Sequence, residues 1–139
     1  MERREHVLTK FNNNLRPEPV SELILPTFIQ ELYFSPNNVY VYVFFYQDQV
    51  MVINSETFVV ENVLHNKSWL NPLGYDMDGR FWLQRDSSTA EAWDATLENP
   101  RSRHRLKGYT KGCYVNEQGF MSVITYSDKD MMLREYELK

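Results

Sequence analysis

Runs of alternating aromatic and β-branched residues recur along this chain at nearly regular intervals, and a short turn-forming segment opens each run. The three turn segments are Ser35–Asn38, Asp76–Gly79 and Asn116–Gly119. Asn38 and Gly79 lie 41 positions apart, and Gly79 and Gly119 lie 40 positions apart. A period of this length indicates a repeated supersecondary unit, which restricts the fold more strongly than any single motif does.

The composition favours β-sheet over helix. The chain has 139 residues, which suits one domain of ordinary size with a real hydrophobic core. Its nine tyrosines and eight phenylalanines far outnumber its three alanines. Because aromatic side chains suit pleated, half-buried surfaces and alanine suits helices, the composition predicts an all-β protein.

The first half of the chain predicts an antiparallel meander. Val39–Tyr46 is apolar on both alternating faces, which predicts a strand that is buried on both sides. Val50–Ile53 and Thr57–Val63 follow it after short polar turns. Pro26 cannot donate a backbone hydrogen bond, so we expect it to divide residues 21–34 into two extended pieces.

The second half predicts further strands separated by polar segments. The predicted strands are Arg80–Gln84, Cys113–Val115, Phe120–Tyr126 and Met132–Leu138. Ala90–Ala95 suits either a strand or a helix, and residues 97–105 are predicted to form a polar loop. We therefore expect a single β domain over residues 21–139, built as an antiparallel meander.

Residues 1–20 are expected to form a flexible N-terminal arm. Asn12–Asn14 and the pair Pro17 and Pro19 disfavour regular structure there. The charged N-terminus lacks the apolar segment of a signal peptide. A lone cysteine, Cys113, excludes an intramolecular disulfide and suits a reducing compartment. The sequence contains no run of about 18 apolar residues, which a membrane-spanning helix would need. We therefore expect a cytoplasmic or nuclear protein.

Several segments resemble the blades of a WD40-type β-propeller. Leu106-Lys107-Gly108-Tyr109-Thr110 resembles the loop that opens such a repeat, and Val115–Val123 resembles its first strand-turn-strand. Trp93-Asp94 resembles the dipeptide that closes a blade, and Ile53-Asn54 and Tyr136-Glu137 stand at similar places in their own segments. The resemblance covers residues 28–139, or about three blades.

The resemblance carries an expectation about completeness. Closed propellers contain about four to eight blades. Three blades would leave open faces and edges, so such a chain would dimerise, complete a partner's propeller or be a fragment. A single β-sandwich or small barrel also gives short strands with frequent turns, and the sequence leaves these architectures open.

No residue pattern indicates catalysis or a metal. Asp76 and Asp78 flank a turn, but Gly74 stands where a calcium loop needs its first oxygen ligand. The three histidines are too far apart for a zinc site. Cys113 and His104 lack the surroundings of a known thiol enzyme. We therefore expect a protein that is not an enzyme and uses no cofactor.

A basic segment is the strongest candidate for binding. The candidate residues within segment 101–111 are Arg101, Arg103, His104, Arg105, Lys107, Tyr109 and Lys111. Together with an aromatic patch on the Val39–Tyr46 strand, this predicted loop would recognise another protein or a second copy. The net charge of −4 argues against general nucleic-acid affinity. A small β-barrel that binds single-stranded nucleic acid is the alternative.

Overall fold

The computed structural model describes residues 6–46, 49–66, 70–86, 88–106, 109–116, 118, 120–126 and 131–137. The described residues form thirteen β-strands and contain no helix. All pairings between these strands are antiparallel, and each joins strands that follow one another in the chain. The predicted all-β meander is confirmed.

The strands form four separate sheets, which we name A to D in chain order. Sheet A contains β1 (His6–Phe11) and β2 (Pro19–Leu25). Sheet B contains β3 (Ile29–Phe34), β4 (Tyr40–Phe45), β5 (Gln49–Asn54) and β6 (Val60–His65). Sheet C contains β7 (Asn71–Tyr75), β8 (Phe81–Asp86), β9 (Thr89–Trp93) and β10 (Pro100–Arg105). Sheet D contains β11 (Tyr109–Val115), β12 (Phe120–Tyr126) and β13 (Met131–Glu137).

The four sheets pack face against face in the order A, B, C, D. Leu8, Leu23 and Leu25 of sheet A pack on Val43 and Phe45 of sheet B. The opposite face of sheet B packs on sheet C, and the further face of sheet C packs on sheet D. Each sheet therefore buries apolar side chains against the next one, which is the main source of stability in such a stack.

Strand β4, one of the two inner strands of sheet B, is buried on both sides, as its sequence predicts. Tyr42 and Phe44 face sheet C, whereas Val41, Val43 and Phe45 face sheet A. The predicted division at Pro26 is also confirmed, because β2 ends at Leu25 and β3 begins at Ile29. Ala90–Ala95, which suited either a strand or a helix, contributes its first four residues to strand β9.

Two predictions of irregular structure are wrong. His6–Phe11 is not part of an unstructured arm but pairs with β2, so the expected boundary after residue 20 falls inside a strand. Residues 97–105 are not wholly a loop, because Pro100–Arg105 pairs with β9 as the fourth strand of sheet C. Backbone pairing with β9 overrides the polar composition of residues 100–105, whereas Asn12–Asn14 and Pro17 lie in the turn between β1 and β2.

The repeated turns of the sequence form the first hairpin of sheets B, C and D. Asn38 and Gly79 both adopt a positive φ, of 59° and 77°, at the same place in their hairpins. In sheet C the Asp76 carboxylate accepts the backbone N–H groups of Asp78 and Arg80, at 2.9 and 3.0 Å. Asn116 accepts two backbone N–H groups in the same way in sheet D. The repeat therefore places a hairpin at the same point of three sheets. The hairpin of sheet B is one residue longer, because Ser35 N–H donates to Tyr40 O whereas Asp76 N–H donates to Arg80 O. Gly119 lies outside the described residues.

A second repeated turn follows the third strand of sheets B and C. The backbone N–H of Asn54 donates to Val59 O at 3.0 Å, and that of Asp94 donates to Asn99 O at 3.2 Å. Both residues also accept backbone N–H groups through the side chain. Trp93-Asp94 and Ile53-Asn54 thus stand at equivalent places, as the resemblance implied. Tyr136-Glu137 likewise ends β13.

Gly74 holds the junction between sheets C and D. Its φ is 136°, and a Cβ atom there would lie 2.5 Å from the backbone oxygen of Val115. We expect Gly74→Ala to lower the free energy of unfolding by about 2 kcal/mol or more, because backbone must move to relieve the clash. Urea denaturation measures the loss.

Gly79→Ala is the matched control for Gly74→Ala. Gly79 also has a positive φ, but a Cβ atom there would meet nothing within 4 Å. Only backbone strain remains, which costs roughly 1 kcal/mol. Equal losses in the two variants would contradict a close approach between β7 and β11.

Candidate functional site

The predicted basic segment is centred on strand β10, whose two faces differ in chemistry. Arg101, Arg103 and Arg105 are exposed on one face, whereas Ser102 and His104 are half-buried on the other. The strand period of two therefore separates the guanidinium groups from the neighbouring polar side chains. The arginines form a row on one exposed strand, which we name the arginine row.

Buried and half-buried carboxylates hold part of the arginine row in place. Glu91 of β9 is buried, and its two oxygens accept Arg85 Nη1 at 3.2 Å and Arg103 Nη2 at 3.1 Å. Arg101 Nη2 lies 3.9 Å from Asp94 Oδ2. Among the described residues, Arg105 has no carboxylate within 4.0 Å. Arg103 thus forms an ion pair with a buried carboxylate of the same sheet. Arg101 and Arg105 are more available to contact a partner.

The other face of β10 packs on sheet D. The rings of His104 and Tyr136 meet edge to face, with centroids 4.8 Å apart. Ser102 Oγ, His104 Nε2 and Tyr136 Oη are buried without a hydrogen-bond partner among the described residues. The His104 ring therefore lies between sheets C and D, on the face of β10 opposite the arginines, and its role in binding stays a prediction.

The side chains of the remaining predicted binding residues lie outside the part of the chain that the structure describes. Lys107 lies outside the described residues. Tyr109 and Lys111 belong to β11, but their side chains lie outside the description. The segment 101–111 is thus not one loop, since β10 and β11 occupy most of it.

The aromatic strand contributes to the core more than to the surface. Tyr42, Phe44 and Phe45 are buried, whereas Tyr46, directly after β4, is exposed. An exposed aromatic patch on this strand is therefore wrong. The burial of these rings between sheets A, B and C confirms the prediction that this strand is buried on both sides and serves mainly as core.

The rings gather around Phe81 between sheets B and C. Phe81 stacks on Tyr42 and Tyr75, with centroids 4.4 and 4.9 Å away. The hydroxyls of Tyr42 and Tyr75 are hydrogen-bonded to each other, and that of Tyr42 donates to Ala95 O at 2.6 Å. Burial raises the pKa of both hydroxyls, so both stay protonated in neutral solution.

A cleft opens beside this aromatic cluster, where the turns of sheets B and C meet. Its volume is about 440 Å³. The lining residues include Pro36, Tyr40, Tyr75 and Met77. Asp76 also lines it, but its carboxylate already accepts four hydrogen bonds from its own hairpin and from Trp82. A ligand in the cleft would therefore contact mainly apolar surface, because the Asp76 carboxylate is already occupied by its own hydrogen bonds.

The outward faces of sheets A and D form a pair of exposed apolar surfaces that sequence reasoning did not locate. On sheet A, Val7 lies opposite Ile24 on the face turned away from sheet B, and Ile24 is 65% exposed. On sheet D, Ile124 lies opposite Leu133 on the face turned away from sheet C, and Leu133 is 73% exposed. We name these surfaces the A end face and the D end face.

Further apolar residues lie on the same outward faces. Tyr114 and Met131 extend the D end face, whereas Val20 lies on the outward face of sheet A beyond the exposed Glu22. Single exposed apolar residues are common on proteins, but contiguous groups mark interaction surfaces. The alternation of β12 and β13 in the sequence could have shown two-sided apolar strands, but only the stacking order shows which face is uncovered.

The comparison with solved structures identifies the fold as a β-propeller. The chain is similar to the β-propeller domain of Cps50 (Swd1) from Myceliophteria thermophila, with 10% identity and a TM-score of 0.56, over 81% of this chain and 40% of that one. Two structures of Kluyveromyces lactis Hsv2 match 86% of this chain at 8% and 9% identity, with TM-scores of 0.53 and 0.55.

The chain spans 40% of the Swd1 domain and about half of Hsv2. No protein-family model matches the sequence, and no curated protein sequence matches it. Of the architectures that the sequence left open, propeller-like sheets are the one observed, since four separate sheets follow one another in a stack. Within the part of the chain that the structure describes, no helix is long and apolar enough to cross a membrane.

Proposed function

We propose that this chain is a non-enzymatic module for protein–protein interaction and assembly inside the cell, in the cytoplasm or the nucleus. The observation that carries the proposal is that both end faces expose apolar side chains to solvent, such as Ile24 on the A end face and Leu133 on the D end face. Every inner contact between sheets in the chain buries surface of the same chemistry. A partner that covers an end face removes apolar surface from water, at roughly 25 cal/mol per Å² before the costs of association.

The arginine row supplies a charged contact in this proposal. Arg101 and Arg105 are exposed on β10, and an acidic partner surface would meet them there. Exposed charges of this kind affect the rate and selectivity of association more than its final strength. The end faces therefore provide the buried contact and the arginine row orients the partner; Lys107, Tyr109 and Lys111 are proposed to extend this row.

Quantitative affinity purification from native cells tests the role of the end faces. The bait proteins are the wild-type chain, Ile24→Asp, Leu133→Asp and the control Val59→Asp, whose side chain is 57% exposed in the turn after β5, away from both end faces and from the cleft. We expect an end-face variant to lose at least one specific protein that the wild type and the control both retain. Identical sets of proteins on all four baits would contradict the proposal.

Charge removal tests the arginine row. We expect the double variant Arg101→Gln/Arg105→Gln to associate about tenfold more slowly with the recovered partner at low salt, and to show a weaker salt dependence. Arg103 is kept, because its loss would weaken the contact with buried Glu91. Stopped-flow or surface-based kinetics measure the rate, and Lys10→Gln on sheet A is the control.

A single-stranded oligonucleotide tests the alternative with the same variants. Binding that falls steeply with salt and disappears in the arginine double variant would favour nucleic-acid recognition. That result, together with unchanged protein association, would overturn the protein-binding role of the arginine row. Weak oligonucleotide binding that is the same in both proteins is the result we expect.

A further inference from the structure

We propose that the cleft between the first hairpins of sheets B and C binds a proline-rich segment of a partner protein. The cleft uses no residue of the end faces or of the arginine row, so the inference goes beyond the proposed function. Its volume of about 440 Å³ falls within the range of roughly 300–1,000 Å³ that is typical of ligand pockets. The kind of ligand follows from the rings, the charges and the hydrogen-bonding groups that line it.

Fixed aromatic rings form the apolar wall of the cleft. Tyr40 and Tyr75 line it together with Pro36 and Met77. Both tyrosine rings pack against the fully buried ring of Tyr42, with centroids 6.4 and 6.2 Å away. Because Tyr42 holds them between the sheets, the wall exists before a ligand arrives, and little side-chain freedom is lost on binding.

The charges of the cleft favour a neutral ligand. Asp76 is the only charged residue among the described residues that line it. Its carboxylate is 1% exposed and is paired with the Arg80 guanidinium at 2.8 Å. An anionic ligand would find no cation among these lining residues, and a cationic ligand would meet a carboxylate that is already paired.

The side-chain acceptors of the cleft are occupied, whereas two donors are free. Ser35 Oγ donates to Asn37 Oδ1 at 2.7 Å, and each of these oxygens also accepts a backbone N–H group. The orientation of the Asn37 amide is fixed, because only its oxygen can accept the Val39 N–H. The Asn37 NH₂ group and the Tyr40 hydroxyl form no hydrogen bond with any described residue.

A proline-rich segment matches this arrangement of donors and acceptors. Proline has a backbone C=O but no N–H, so it brings acceptors for the two free donors and needs no acceptor in return. An ordinary extended peptide would bring N–H groups, which the occupied side-chain acceptors could not satisfy. Proline-rich segments also adopt the polyproline II conformation before binding, and their rings pack on aromatic side chains.

Fluorescence anisotropy of a labelled oligoproline peptide of about ten residues tests the inference. We expect the wild type to bind it with a dissociation constant below about 1 mM, and to bind a glycine–serine peptide of equal length much more weakly. Tyr40→Phe keeps the ring and should weaken binding about fivefold, through the loss of one hydrogen bond. Asn37→Asp keeps the oxygen that accepts the Val39 N–H but removes the donor, and should weaken binding about tenfold.

Two matched controls make the same chemical changes outside the cleft. Tyr46→Phe removes a hydroxyl from a ring that is 66% exposed after β4. Asn12→Asp keeps the side-chain oxygen that accepts the Glu18 N–H in the turn between β1 and β2. Both controls should bind oligoproline as the wild type does, and circular dichroism should show that all four variants are folded.

Nuclear magnetic resonance of the wild type locates the bound peptide. Addition of oligoproline should shift the amide signals of residues 37–40 and 76–80, which belong to the two hairpins beside the cleft. Equal affinity for the two peptides, unchanged affinity in both cleft variants, or shifts confined to sheets A and D would overturn the inference. Absence of binding at millimolar peptide would overturn it as well, and none of these results would affect the role of the end faces.

Discussion

Phe81→Ala is expected to lower the free energy of unfolding by about 3–5 kcal/mol. Phe81 is fully buried, and its ring contacts Tyr42, Tyr75 and Tyr33 within 5.1 Å between centroids. Alanine would leave a cavity where sheets B and C meet, and two stacked ring contacts would be lost. Typical domains are stable by only about 5–15 kcal/mol, so this single change removes a large share.

Urea denaturation with Phe34→Ala as the control measures the effect of Phe81→Ala. With a typical urea slope, the midpoint should fall by about 2 M in Phe81→Ala. Phe34 is 57% exposed on β3, so its loss should cost about 0.5 kcal/mol or less. Losses of similar size in both variants would mean that the aromatic cluster does not join sheets B and C.

Asp76→Ala is expected to cost about 3 kcal/mol, although it removes only a small polar side chain. The Asp76 carboxylate is 1% exposed and accepts hydrogen bonds from Arg80 Nε and Trp82 Nε1, both at 2.8 Å. It also accepts two backbone N–H groups of its hairpin. The variant would leave the buried Trp82 N–H and these turn groups without their acceptor.

Asp78→Ala is the matched control for Asp76→Ala. Asp78 belongs to the same hairpin and also pairs with Arg80, at 3.2 Å, but its side chain is 68% exposed. Exposed ion pairs contribute about 1 kcal/mol or less. Thermal and urea unfolding of the two variants should therefore differ clearly. Equal losses would show that Asp76 serves the turn only through charge, without the buried network.

The sequence predicts the inner strands well because their local signals agree with their environment. Val39–Tyr46 is apolar on both faces, and β4 is buried on both faces. Asp76–Gly79 contains the residues that a tight hairpin needs, and the hairpin forms there. Ile53-Asn54 and Trp93-Asp94 occupy equivalent places because one turn geometry, with its side-chain acceptor, is used in both sheets.

The sequence does not predict the strands that form mainly because they pair with an adjacent strand. Asn71–Tyr75 contains Pro72 and Gly74, which normally break strands, and the structure places an irregularity of the pairing between them. Pro100–Arg105 has no apolar face, so its alternation of arginine with Ser102 and His104 resembles a polar loop. Pairing with β9 and packing on Tyr136 make it a strand.

The candidate site is harder to predict from the sequence than the strands are, because it depends on how the sheets pack on one another. The arginines at 101, 103 and 105 are visible as a charge cluster in the sequence, but their separation from His104 requires the strand period. The cleft beside Tyr75 and the two end faces arise only when the sheets stack. No local pattern tells that Ile24 is uncovered while Leu25, its neighbour, is buried.

Hydrogen exchange of the wild-type chain, compared with and without the partner that affinity purification recovers, tests most directly whether the end faces are the binding surfaces. The account predicts that the partner slows exchange in β2 (Pro19–Leu25) or in β13 (Met131–Glu137) more than in β10 (Pro100–Arg105). Unchanged exchange in both β2 and β13, or slower exchange in β10 alone, would contradict it.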